Sequence, residues 1–328
     1  LGPGPSGGAR PIVWRLAPAA LAYAAAQCAP SVPPRPEPAP VPVFCVGNAT
    51  VGGVGKTPFA MLLAERLAAL GASPHFLTRG YGGALKGPVL VDLSVHDAAA
   101  VGDEALLLAA KAPAWVARDG PGGGGAAAAG GARAIIMDDG FQNPTLEKTC
   151  AFLLVGGRDP FGNARVFPAG PLRESPSRAA LRADALVIIA ATGAGADADF
   201  DALPAKARLR AIVEPDERIA PGRVLAFCGI GGPERFFSML ETQGVELVAR
   251  RPFPDHHRFS EAELAQLRRE AERLGARLVA TAKDFARLSP AQREGVDVLK
   301  IRMRIDDPVR LDALLLTALG RAGGSEAA

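Results

Sequence analysis

The chain has 328 residues, 48% of them hydrophobic and 22% charged, with a formal net charge of +3. This composition excludes a disordered chain, and at roughly 150 residues per domain the length predicts two domains. The charge is too mild for the concentrated basic face of a nucleic-acid binder, and four scattered cysteines, Cys28, Cys45, Cys150 and Cys228, have neither zinc-ligand spacing nor the look of a disulfide framework, which fits a reducing cytoplasm.

In chain order, the stretch from Pro11 to Pro30 is apolar apart from Arg15 and Gln27. Its uninterrupted runs are shorter than the ~20 residues a membrane span needs. The expected form is an amphipathic helix bearing Trp14, Leu16, Leu21 and Tyr23, suited to a bilayer interface or to packing on the rest of the protein. With the Pro-rich linker that follows, it makes an N-terminal unit of residues 1–40.

Next comes "VFCVGNATVGGVGKTP", an apolar strand, a glycine-rich loop and a helix beginning near Thr57. Gly52, Gly53, Gly55, Lys56 and Thr57 satisfy most of the pattern G-x-x-x-x-G-K-[ST], but Thr50 stands where the first glycine is usual. The physics of a phosphate loop survives that change. Glycines, with Val54 between them, let backbone N–H groups turn toward phosphates, and the helix points its positive end at them. Lys56 reaches the β and γ oxygens and Thr57 holds Mg²⁺. ATP is the nucleotide this predicts.

Further strand-length runs recur at "PHFLT", "PVLVD", "ARAIIMDD", "CAFLLVGG", "ALVIIA", "LRAIV", "RVLAFCGI", "ARLVATA" and "DVLKIRM", with helical patterns between many of them. Alternation of this kind predicts an α/β protein with parallel sheets buried on both faces. A boundary is expected between Glu214 and Arg223, giving a phosphate-loop domain over residues 41–215 and a smaller α/β domain over 216–328. The tract "DGPGGGGAAAAGGAR" reads as a flexible loop.

Several side chains in these segments suit phosphoryl transfer. Asp138 and Asp139 end a buried strand where Mg²⁺ would sit, although paired aspartates also serve as turn residues. Asp103 and Glu104 open an apolar helix, where capping alone explains them. Arg79 in "TRGYGG" and Arg173 in "FPAGPLRE" are presented as phosphate-binding arginines often are. Ser260 and Glu263 form a capping box, leaving Asp255, His256 and His257 in the preceding loop.

Taken together, "VGNATVGGVGKTP", "TRGYGG", "VGDEALLLA", "DDGFQ", "GNARVFPAGPLRE", "FCGIGGPERFF" and "FPDHHRFS" resemble, in this order, the tetraacyldisaccharide 4′-kinase family of lipid A biosynthesis. The resemblance implies a P-loop kinase that moves the γ-phosphate of ATP to the 4′-hydroxyl of a lipid A disaccharide 1-phosphate precursor, giving lipid IVA. It implies a peripheral protein on the cytoplasmic face of the inner membrane, with no obligatory protein partner. By the same similarity Asp103 is the acceptor-side base and His256 its partner, with Asp138, Asp139, Glu104 and Gln142 on the metal side. Arg79 then contacts phosphate, and Arg173 reads the lipid's 1-phosphate. "TAKDFARL" is a loose version of the family's Thr-Glu-Lys-Asp block.

The rival reading is a membrane-associated switch ATPase of the partitioning type. Those proteins carry a signature lysine just before the paired glycines, and here that place is Val51.

Overall fold

The computed structural model describes residues 35–158, 160–190 and 198–323. The expected N-terminal helix lies outside the described residues. The first half of the chain runs β1 (Val43–Asn48), α1 (Lys56–Ala69), β2 (Pro74–Thr78), β3 (Val89–Leu90), α2 (Ala98–Val101), α3 (Asp103–Ala109), β4 (Ala114–Val116), α4 (Gly120–Ala129) and β5 (Ala134–Asp138). It continues with β6 (Cys150–Gly156), α5 (Pro176–Arg182), β7 (Ala185–Ile189) and β8 (Arg208–Pro215). After these come β9 (Arg223–Cys228), α6 (Pro233–Glu241), β10 (Glu246–Pro252), α7 (Glu261–Leu274), β11 (Arg277–Thr281), α8 (Ala282–Arg287) and β12 (Val296–Leu299), then β13 (Ile301–Ile305) and α9 (Pro308–Gly323).

Nine strands form the larger sheet in the order β13-β8-β7-β6-β1-β5-β2-β4-β3. The strands from β8 to β4 are parallel, and β13 and β3 close the edges antiparallel. Every residue of β1, β2, β5 and β7 is buried, as expected for strands covered on both faces. Phe59, Leu63 and Leu67 of α1 join Leu108, Leu311 and Leu315 on one face. Ala127 of α4 and Ala179 and Ala180 of α5 lie on the other. A second sheet, β10-β9-β11-β12, is entirely parallel and has its own two-sided core built around Phe227, Phe237 and Leu264.

Two expectations need correction. The run "DVLKIRM" is not one strand: β12 ends at Leu299 in the small sheet, and β13 starts at Ile301 in the large one, paired with β8. The last segment thus returns to the phosphate-loop unit, so the small sheet spans Arg223 to Leu299 rather than reaching residue 328. The chain does so because Met303, Ile305, Leu311 and Leu315 bury their side chains in the core of the large sheet.

The glycine-alanine tract is also not a loop. It forms α4, capped by Asp119, whose carboxylate accepts from the Gly122 N–H at 3.0 Å. Each interior glycine costs a helix about 1 kcal/mol relative to alanine. At Gly123 close approach to the sheet explains the choice, since a Cβ there would lie 2.6 Å from the Ala117 Cβ and 2.7 Å from Leu77.

The loops after β1, β2 and β5 emerge at the carboxyl edge of the large sheet, where open parallel sheets bind ligands.

Candidate active site

The phosphate loop leaves β1 through Asn48, which is fully buried. Its side-chain amide donates to Thr50 Oγ1 at 3.3 Å and to the Gly52 carbonyl at 3.4 Å, while its Oδ1 accepts from Lys56 Nζ at 3.2 Å. Asn48 therefore braces the loop from within and aims the lysine. Gly52 and Gly55 have φ of 116° and 106°, conformations that L side chains rarely adopt. The loop is held from outside as well, because Val51 N–H donates to the Pro171 carbonyl and Arg173 N–H to the Ala49 carbonyl, each at 2.7 Å. Gly52, Gly53 and Val51 are exposed, whereas Val54 and Thr57 are buried.

Thr57 Oγ1 donates to Asp138 Oδ2 at 3.1 Å, so two of the residues expected on the metal side are in contact. Asp138 Oδ1 is buried with no hydrogen-bond partner. Burial pushes the Asp138 carboxyl up to about 7, reinforced by the charges of Glu104 and Asp139 and opposed by Lys56 and Lys283. A buried carboxylate oxygen with an open lone pair beside a threonine hydroxyl suits a small divalent cation. Among the described residues no cluster of three or more His, Cys, Asp or Glu side chains forms a protein-only metal cage. Magnesium takes one or two carboxylates and completes its shell with water and substrate phosphate, a role for which Asp138 and Thr57 have the donor atoms.

Asp139 and Gln142 have other partners. Asp139, at φ 55°, accepts a two-pronged contact from Arg173 at 2.9 and 3.1 Å and lies 3.5 Å from Lys56 Nζ. Gln142 donates to the Asn48 carbonyl at 2.9 Å and to Glu174 at 3.0 Å. Arg173 is thus tied to Asp139 in this conformation, and Arg79 is exposed at the end of β2.

The other half of the site is built around α3. Asp103 is only 4% exposed, and its Oδ1 accepts from the Glu104 N–H at 3.0 Å. Gly102, immediately before it, has φ of 87° and packs so tightly that a Cβ would stand 2.4 Å from the Tyr81 carbonyl oxygen. The "TRGYGG" loop is therefore pressed against the start of α3. From the small sheet, His256 reaches the same place, with Nδ1 3.5 Å from Asp103 Oδ2 and its ring 5.3 Å from that of Tyr81. His256 adopts φ 59°, and its N–H donates to the Gly229 carbonyl at 3.1 Å. His257 turns the other way, stacking on Phe253 and contacting Glu263, which closes the expected capping box with Ser260.

Three groups in this half were not singled out from the sequence: Lys283, Asp284 and Arg287 of α8. Lys283 Nζ lies 2.5 Å from Glu104 Oε1. Arg287 donates through Nε to Asp103 Oδ2 at 2.9 Å and through Nη2 to the same oxygen. Burial pushes the Asp103 carboxyl up, but the Arg287 guanidinium, then Lys283 and His256, outweigh it and hold the group below its usual range. Burial likewise works against the charge on Lys283, and Glu104 overrides it to keep that amine above its ordinary value. The signal available in the sequence was "TAKDFAR" at the end of a predicted strand, two cations and an acid on one helical turn.

Comparison with known proteins bears on this arrangement. A family model described as tetraacyldisaccharide-1-P 4′-kinase matches residues 12–320. A protein of Rhodospirillum centenum named tetraacyldisaccharide 4′-kinase is 47% identical over 96% of this chain and 94% of its own length. One of the same name from Parvibaculum lavamentivorans is 49% identical over 83% of this chain and 79% of its own. Among solved structures, an "apo" form of LpxK from Aquifex aeolicus in complex with ATP superposes with a TM-score of 0.74 at 26% identity, covering 94% of this chain and 99% of the other.

Proposed function

The chain belongs to the tetraacyldisaccharide-1-P 4′-kinase family and is a kinase, and from that premise we propose that it transfers the γ-phosphate of ATP to the 4′-hydroxyl of a tetraacyldisaccharide 1-phosphate, giving lipid IVA. The observation that carries the reading is the meeting of the two halves of the site. Asp138, beside the phosphate loop, feels the charges of Glu104 and Lys283, while Asp103 next to Glu104 is faced by His256.

Phosphoryl transfer asks little covalent chemistry of a protein, so positioning and charge dominate. The loop amides from Gly52 to Thr57 hold the phosphates, and Lys56 leaves Asn48 and Asp139 to neutralise the oxygens of the transferred group. Thr57 and Asp138 would hold Mg²⁺, with Glu104 in support. The ion would supply charge neutralisation at the phosphates. Asp139, fixed by Arg173, balances Lys56, and Gln142 keeps the Asn48 end of the loop in register. Asp103, kept ionised, accepts the proton of the sugar hydroxyl, and His256 lines that acceptor. Arg79 faces solvent at the same edge and is assigned to phosphate. Arg173, with donors left over after its contact with Asp139, is assigned to the lipid's 1-phosphate.

A substrate with four acyl chains stays in a bilayer, which supports peripheral attachment at the cytoplasmic face of the inner membrane. Among the described residues no helix is long and apolar enough to cross a membrane. The test is transfer of label from γ-labelled ATP to a disaccharide 1-phosphate, with Mg²⁺ and with EDTA. Mg²⁺-dependent labelling of the acceptor is expected. ATP turnover that is indifferent to the lipid would instead support a switch ATPase.

A further inference from the structure

The Arg287 side chain is only 5% exposed. Every polar contact it makes converges on the acceptor side of the site. Nε and Nη2 donate to Asp103 Oδ2, Nη1 donates to the Gly229 carbonyl at 2.8 Å and to Asp284 Oδ1 at 2.9 Å, and Nη2 stands 3.3 Å from His256 Nδ1. Asp284 is in turn fixed by the Gly229 N–H at 2.9 Å and by Thr281 Oγ1 at 2.5 Å. The guanidinium is therefore locked at its far end by α8 and the loop after β9, and offers its remaining edge to Asp103.

We propose that Arg287 is a positioning residue for the phosphoryl transfer, presenting Asp103 so that Oδ1 rather than Oδ2 receives the sugar hydroxyl and orienting the His256 ring through Nδ1. The inference rests on the reading of Asp103 given above. Its geometry is a matter of lone pairs. Two N–H groups of Arg287 occupy Oδ2, whereas Oδ1 accepts only the Glu104 N–H and keeps one lone pair for the substrate. The same Nη2 lies 3.3 Å from His256 Nδ1, so the guanidinium that contacts Asp103 also borders the imidazole. His256 Nδ1 stands 3.5 Å from Asp103 Oδ2, a long contact, and Arg287 touches both groups.

The test is steady-state kinetics of R287Q, R287K, D103N and the R287Q/D103N pair, with the disaccharide 1-phosphate as acceptor and Mg·ATP. R287Q is expected to lose about 10- to 100-fold in kcat, the range seen when an orienting partner is removed, with KM for ATP within about twofold of the parent. R287K, which keeps the charge but not the forked reach, should recover only part of that loss even if R287Q melts at lower temperature. In the D103N background R287Q should cause no further loss, because the carboxylate it orients is gone. Parental kcat in R287Q, or a loss that multiplies fully with that of D103N, would overturn the proposal while leaving Asp103 in place. Parental turnover in D103N would remove the Asp103 assignment and this inference together.

Discussion

Asp138 ties the chemistry of the site to pH. Its carboxyl has an ordinary value near 3.8 and is pushed up to about 7 in the folded chain, first by burial and then by Glu104 and Asp139. A folded-state value above the unfolded one means that the folded protein binds the proton more tightly. The stabilisation this brings is present at acidic pH and is lost as pH rises through about 7. Metal-free protein should therefore melt at a lower temperature at pH 8.5 than at pH 6, and D138N should show a smaller drop. Mg²⁺ competes with that proton and should raise the melting temperature of the parent more at pH 8.5 than at pH 6. Parallel melting profiles for parent and D138N would show that Asp138 is not the group responsible. At this scale the sequence was informative where a motif carries its own physics. Lys56 and Thr57 follow from a glycine loop between strand and helix, whereas Asn48 could be read only as the end of a strand. Nothing local marks it as the brace between Thr50, Gly52 and Lys56. Lys283 and Arg287 were hidden for a different reason: their partners, Glu104 and Asp103, lie far away in the chain, in another sheet's territory.

Elements were legible where hydrophobic periodicity governs them. The buried runs of β1, β5, β6 and β7 and the amphipathic α7 stand where their patterns put them. Pattern failed where close packing rather than propensity decides. The glycines of α4 are poor helix formers, and at Gly123 the reason for one is the clash a larger side chain would make with Ala117 and Leu77. The break at Lys300 between β12 and β13 was invisible because both halves are strand-like in pattern, and only pairing separates them into two sheets. Gly102 is an element-scale joint of the same kind, holding the start of α3 against Tyr81. G102A places a Cβ against the Tyr81 carbonyl in a left-handed region of backbone, and a destabilisation of about 1–3 kcal/mol is expected. Urea unfolding measures it, together with a fall in kcat as Asp103 is displaced. An unchanged unfolding midpoint would mean that the loop yields without cost.

The molecule as a whole consists of a large sheet that holds the phosphate loop and a small one that brings His256, Lys283 and Arg287 to the acids of α3. Lys283 on Glu104 and Arg287 on Asp103 fasten the two together at the point where transfer would occur. On the proposed function, a site divided in this way would be complete only where the halves meet, which would limit loss of ATP to water. The two-sheet plan was legible from the alternation of strands and helices. The return of the chain through β13 and α9 was not, since it depends on the long-range burial of Met303 and Leu311. We propose in addition that the N-terminal segment, which lies outside the described residues, attaches the protein to a bilayer. Deleting residues 1–30 is expected to reduce partition into phospholipid vesicles more than it reduces ATP binding, and equal partition would assign attachment to another part of the chain.

The measurement that reaches the centre of the account is a crystal structure with Mg²⁺ and a non-hydrolysable ATP analogue. The terminal phosphorus should lie about 5–6 Å from the Asp103 carboxylate, the span that one bridging hydroxyl oxygen fills. A terminal phosphate bound at Lys56 but separated from Asp103 by much more than that, in every arrangement of the two sheets, would contradict it.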